Sequence, residues 1–251
     1  MLRFFRQIRQ RLLTENKFSK YLLYAVGEIL LVVIGILIAL YVDSKQTEYQ
    51  ERLMSYDLLR NIKSDLQQDT TNLQELADVY KQIHKDRLVL LRNDDLDNMD
   101  VDSLMYAVMP FYRIVHLTDQ SFQKIKSIGV MNLPGFEEIY DKINIYYTKD
   151  NEFYANRIAW DSELSLKEAE FWYYTDNFEH FYYEVFFKEQ LPSKQTSATR
   201  KESLIELVNS TKVRNMLRTS AFRKRFVFED VLLTKSKAIQ LLSSIEEVLE
   251  N

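Results

Sequence analysis

A run of apolar residues from Leu22 to Val42 follows a twenty-residue leader whose charged residues are basic with one exception. About 20 apolar residues form a helix long enough to cross the ~30 Å hydrocarbon core of a bilayer. Arg3, Arg6, Arg9, Arg11, Lys17 and Lys20 precede the run, with Glu15 the one opposing acid. Just beyond it, Asp43, Glu48, Glu51 and Asp57 stand among Lys45, Arg52 and Arg60. Basic residues flanking a span stay on the cytoplasmic side. The expected topology puts residues 1–20 inside, a transmembrane helix at 21–42, and residues 43–251 outside. In a two-membrane bacterium this is a single-pass protein of the inner membrane with a periplasmic domain. A cleaved signal peptide would have a shorter apolar region and a small-residue cut site, and Ala39-Leu40-Tyr41 supplies no such site. The asymmetric flanking charge also argues against a buried helix of a soluble protein.

Within the leader, Phe4, Phe5, Ile8, Leu12 and Leu13 alternate with the arginines. That pattern suits a basic amphipathic helix lying among lipid headgroups, with Arg3, Arg6, Arg9 and Arg11 as headgroup contacts. A disordered basic tail that only sets topology is the simpler alternative. Glu28 interrupts the span, where a carboxylate is costly. At ~100° per residue Glu28, Val32, Gly35 and Ala39 share one helix face. Gly35 and Ala39 form a small-xxx-small pair that allows close helix approach. The face is therefore a candidate association surface, with Glu28 either bonded to a neighbouring helix or snorkelling to the headgroups.

The run Phe4-Phe5-Arg6-Gln7-Ile8-Arg9-Gln10-Arg11-Leu12-Leu13, then Glu15 to Glu28, then Val32 to Leu40, resembles an uncharacterised family of bacterial single-span envelope proteins. A second patch carries the same resemblance: Thr118, Phe122, Lys126-Ser127-Ile128-Gly129, Asn132-Leu133 and Tyr146-Tyr147. Together they cover about a third of the chain. Members often carry an Asn-Trp-rich stretch after the span, where this chain reads Asp43-Ser44-Lys45-Gln46. The resemblance implies a membrane protein with an all-helical outer domain; it supplies no activity and names no catalytic residues.

Residues 43–251 suffice for one domain with its own core. The chain totals −4, so with +5 in the leader the remainder carries −9, which disfavours nucleic acid as a partner. Without cysteine there is no disulfide, thiolate metal site or cysteine nucleophile. Four glycines and three prolines leave few breaks and favour long helices. Leu59, Ile62, Leu66, Leu73, Leu76, Tyr80, Ile83 and Leu90 recur at a 3.5-residue spacing, with Asp69 and Arg87 as polar exceptions. This predicts a helix over 44–92, joined to the span, whose stripe is the seam of an intramolecular bundle or of an intermolecular coiled coil. Further helices are expected at 103–109, 119–128, 135–168 and 226–249. The last should return against the first through Val231, Ala238, Leu241, Leu242, Ile245 and Val248. The fold class is all-α: one transmembrane helix plus a long-helix bundle.

Candidate chemistry is sparse. Asp94, Asp95, Asp97, Asp100 and Asp102 could offer oxygens to calcium, but the glycine and late glutamate of an EF-hand are missing; caps and turns are the simpler reading. Ten aromatic residues crowd Phe171 to Phe187. Phe171, Tyr174, Phe178, Phe181 and Val185 read as a core stripe. Trp172, Tyr173, Tyr183 and Phe187 are left over as a candidate partner or ligand surface. Asp176, His180 and Glu184 recur at i, i+4, i+8, making His180 and Glu184 weak metal candidates. Lys212, Arg214, Arg218, Arg223, Lys224 and Arg225 read as a solvated basic face or a surface for an anionic partner, and Pro192 to Thr199 as a mobile loop. No phosphate loop, nucleophile elbow or zinc-protease motif occurs. The expectation is a non-enzymatic scaffold or accessory subunit without cofactor. Its partners would be the bilayer and a membrane protein or a second copy. Alternatives are a ligand-binding sensor that signals through a partner, and a hydrolase with an unrecognised site.

Overall fold

The computed structural model describes residues 18–92, 96–127 and 133–250. Arg3, Arg6, Arg9, Arg11, Asp94, Asp95 and Gly129, and the side chain of Val185, lie outside what is described. All regular elements among the described residues are helical. They are α1 (Phe18–Arg92), α2 (Val101–Val108), α3 (Gln120–Ser127), α4 (Glu137–Ile145), α5 (Asn151–Tyr173), α6 (Tyr182–Phe187), α7 (Ser197–Asn209) and α8 (Thr211–Glu250). A π-helical turn, Tyr146–Asp150, joins α4 to α5.

Helix α1 runs without a break through the predicted boundary at residues 42–43. Its apolar residues from Leu22 to Val42 are exposed, and it is the one described helix long and apolar enough to cross a membrane. The chain divides into two compact units at Tyr56/Asp57. Core formation thus begins later than the expected start at residue 43, because every residue from Asp43 to Met54 is exposed.

In the second unit the predicted stripe is the core except at Ile83, which is only half-buried. Leu59, Ile62, Leu66, Leu73, Leu76, Tyr80 and Leu90 have no exposed surface, and each such aliphatic side chain contributes about 1.5–3 kcal/mol by burial. The chain's own helices cover it. Helix α8 runs antiparallel to α1, tied by Lys63–Glu246 at 2.9 Å, Lys235 to Gln74 at 2.6 Å and His84 to the Ala221 carbonyl at 2.9 Å. Helix α5 packs on α8, also antiparallel, through Arg157–Asp230 and Lys237–Asp150. Beside the buried Ala221 and Arg223, α8 carries one buried seam: Val213, Leu217, Ser220, Lys224, Val227, Val231, Thr234, Ala238, Leu241 and Ile245. On α5 they include Tyr154, Ile158, Asp161, Ser165 and Trp172. All keep the alternating three- and four-residue step of a helical seam, so three helices meet along matched seams that carry polar residues in register.

Smaller elements follow their local chemistry. Asp100 caps α2 by accepting from the Ser103 amide at 2.8 Å, which gives the acidic turn a structural task. Gly135 takes a left-handed φ of 82° before α4, and the Glu137 carboxylate accepts its N–H at 3.1 Å.

Candidate functional site

Two of the expected surfaces change character. The aromatic segment is not one helix: α5 stops at Tyr173. Thr175 Oγ1 donates to Asn177 Oδ1 at 2.9 Å and accepts the Asn177 amide, and such local side-chain bonds compete with helix continuation. The stripe is therefore cut. Tyr174 is 80% exposed rather than core, and Trp172 is 2% exposed rather than a partner surface. Trp172 instead joins a cluster with Phe178, Phe181, Leu104 and Leu204. Tyr183 and Phe187 do face outward, stacked with centroids 6.4 Å apart, and the half-buried Tyr173 leans on Tyr183 at 5.9 Å. The i, i+4, i+8 set is dispersed by the same break. Half-buried His180 has its titration pushed down by burial; its Nε2 is buried without a hydrogen-bond partner, and its ring lies edge-on to Tyr173 at 4.9 Å. Glu184 faces Arg200. Among the described residues no group of three metal-ligating side chains forms.

The basic run on α8 is likewise split. Arg225 pairs with Glu229 at the surface, whereas Arg223 and Lys224 are buried at 2% and 0% exposure. Their partners come from α5. Asp161 Oδ1 accepts from Arg223 Nε at 2.7 Å and Lys224 Nζ at 2.8 Å. Asp161 Oδ2 accepts from Lys224 at 2.9 Å and from Tyr80 of α1 at 2.8 Å. Glu168 grips Arg223 with two bonds of 2.9 Å, the fork geometry that suits guanidinium and carboxylate. Lys224 also donates to Ser165 at 2.9 Å and to the Phe111 carbonyl. Arg87, buried in α1, donates to the Met109 carbonyl at 2.5 Å and more weakly to Ser220. Burial pushes Arg87 down to about 10. It pushes Lys224 down to about 8 against the pull of Asp161. Arg223 is raised: burial opposes its charge, and Glu168 and Asp161 outweigh that. Lys224 and Asp161 are closed off from solvent, so the centre of the network clamps three helices together, while Glu168 and Arg223 border a cleft of about 620 Å³.

A second polar centre gathers residues of the patch noted after the span. Asp69 accepts from the Thr118 amide at 2.8 Å and from the Tyr146 hydroxyl at 3.3 Å. Phe122 stacks on Tyr147 at 5.0 Å. The π-turn brings Tyr146 and Tyr147 inward together, and the Tyr147 hydroxyl is buried without a partner. Burial raises Asp69 to about 6, against the bonds from Thr118 and Tyr146.

A polar cleft of about 480 Å³ opens between α6 and the start of α7, with Arg200, Glu184, Asp102 and Lys188 in its wall. The segment expected to be a mobile loop is tied down here. The Glu179 carboxylate accepts from the Lys194 amide at 2.9 Å and from Ser193, the Glu179 amide donates to Gln195 at 2.8 Å, and Thr196 caps α7. Sequence reasoning missed Arg200, which sits among ordinary surface residues of a helix and carries no spacing signal.

In the span, an added Cβ at Gly35 would meet nothing within 4 Å, and Val32 is exposed. No protein-family model, curated protein or solved structure matches the chain.

Proposed function

We propose that the chain is a non-enzymatic scaffold or accessory subunit of an envelope complex. It is held in the inner membrane by residues 21–42, with its leader in the cytoplasm and a long-helix bundle in the periplasm. One observation carries the reading: the exposed apolar segment and the buried seam of the domain lie on a single helix, Phe18–Arg92. A soluble protein does not leave such a stretch of leucine, isoleucine and valine in water, and a helix shared by span and core needs no linker. The flanking charge bias supports the orientation, and the likeness to single-span envelope proteins supports the compartment. The Asp161–Lys224 centre of the charge network is closed off from solvent, which suits it to fixing helix register.

Association runs through the face of Glu28, Val32, Gly35 and Ala39, and through the outward pair Tyr183 and Phe187. Gly35→Leu tests the first. Among the described residues nothing lies within 4 Å of a Cβ at position 35, so the substitution is aimed at a neighbouring helix and not at the fold. A membrane two-hybrid assay should lose signal; an undiminished signal removes the span from the interface.

A further inference from the structure

The wall of the cleft between α6 and α7 includes an arginine with an unanswered donor. Arg200 has a side chain only 12% exposed. Its guanidinium lies over the Phe181 ring at 4.9 Å and reaches Glu184 at 3.5 Å, well beyond the ~2.8 Å of a good charged bond. Its Nε is buried with no hydrogen-bond partner. An orphaned buried donor of this kind costs about 1–3 kcal/mol, and the residue that carries it lines the cleft. The first turn of α7, capped by Thr196, adds Ser197 to the same wall, and helix N-termini favour negative charge. Lys188 adds a cation, held at φ 53° in the left-handed region where glycine is the usual residue. Opposite charge is present too, in Asp102 and Glu184.

Those charges balance. A phosphate or other dense anion would gain Arg200 and Lys188 but meet two carboxylates, and a simple cation would meet the converse. An apolar ligand finds a mostly polar wall. The size falls inside the roughly 300–1,000 Å³ typical of small-molecule sites. We propose that this cleft binds a free amino acid as its zwitterion, the carboxylate on Arg200 and the α7 N-terminus, the ammonium on Asp102 and Glu184. The incoming carboxylate pairs with the guanidinium, and the ammonium takes Arg200's place on Glu184, which Arg200 now reaches only at 3.5 Å. The site goes beyond the scaffold role and does not depend on it.

The test is calorimetric titration and thermal shift on the full-length protein in detergent micelles, with a panel of L-amino acids at about 10 mM, since bound ligand raises apparent stability. At least one amino acid should give saturable heat and a higher Tm. Its carboxamide and its N-acetyl derivative should each bind about tenfold or more weakly, a change of about 1.4 kcal/mol. Arg200→Lys should weaken binding by a similar factor, because an ammonium cannot reproduce the guanidinium fork. Lys188→Gly relaxes the backbone while removing a cation, so it should fold normally and bind more weakly. The proposal is overturned if no amino acid in the panel binds, if inorganic phosphate binds more tightly, or if affinity is unmoved by Lys188→Gly and by whichever Arg200 variant folds.

Discussion

Replacing Asp161 with alanine is the sharpest perturbation of this molecule. The carboxylate accepts four bonds, from Tyr80, Arg223 and twice from Lys224, all within 2.9 Å. Arg223 would keep Glu168. Lys224 would keep only neutral acceptors, Ser165 and the Phe111 carbonyl, at a position with no exposed surface. Removing one partner of a buried pair leaves an uncompensated charge and costs about 3–5 kcal/mol. For a domain of this size each kcal/mol moves Tm by about 2–4 °C, so a fall of about 10 °C is expected. A double-mutant cycle isolates the cause. In a Lys224→Met background no buried ammonium remains, and Asp161→Ala should then cost at least about 1.5 kcal/mol less, inside the range seen for residues in contact. The assay is urea and thermal unfolding of the full-length protein in micelles, followed by circular dichroism. A loss under about 1 kcal/mol for Asp161→Ala, or an equal loss in both backgrounds, would refute the assignment of Lys224 to this carboxylate.

Other expectations are equally direct. Asp69 titrates near 6 in the fold against 3.8 in the open chain, so the folded state binds the extra proton between those values. Stability should therefore fall as pH rises from about 4 to about 6, by about 3 kcal/mol from this group, and level off above. Asp69→Asn should abolish that slope in urea midpoints, and an unchanged slope would exonerate Asp69. Trp172→Ala should cost about 3–5 kcal/mol as a core truncation. Phe187→Ser should stay within about 0.5 kcal/mol yet reduce cross-linking to partners in intact cells. Equal stability effects of the two would contradict the reassignment of the aromatic segment.

The long seam of α1 was legible because a 3.5-residue period over thirty residues has few other meanings. Its polar exceptions were visible too, but not their use. Asp69 meets Thr118 and Tyr146, and Arg87 meets Met109 and Ser220, partners that only the tertiary path brings near. Arg223 and Lys224 read as surface because they sit in a basic run. One signal was available: Lys224 falls in the same alternating step as Val213, Leu217, Val227 and Val231, and Asp161 and Ser165 share the step of Tyr154, Ile158 and Trp172. Matched polar residues on two seams point to a buried pair. The aromatic segment misled for a local reason. Its spacing is helical, and Thr175 and Asn177 stop the helix through side-chain bonds that periodicity does not register. Arg200 carried no signal at all, since its cleft forms where the stretch 181–200 folds back on itself beside Val101 and Asp102.

The account rests on a span that separates the leader from the helical domain. The chain lacks cysteine, so single cysteines introduced at Gln7 and at the exposed Glu202 can be probed with a membrane-impermeant maleimide on spheroplasts. The expected result is labelling of Glu202→Cys in intact spheroplasts and of Gln7→Cys only after lysis. Labelling of Gln7→Cys alone before lysis, or release of the full-length protein by a high-pH wash, would contradict it.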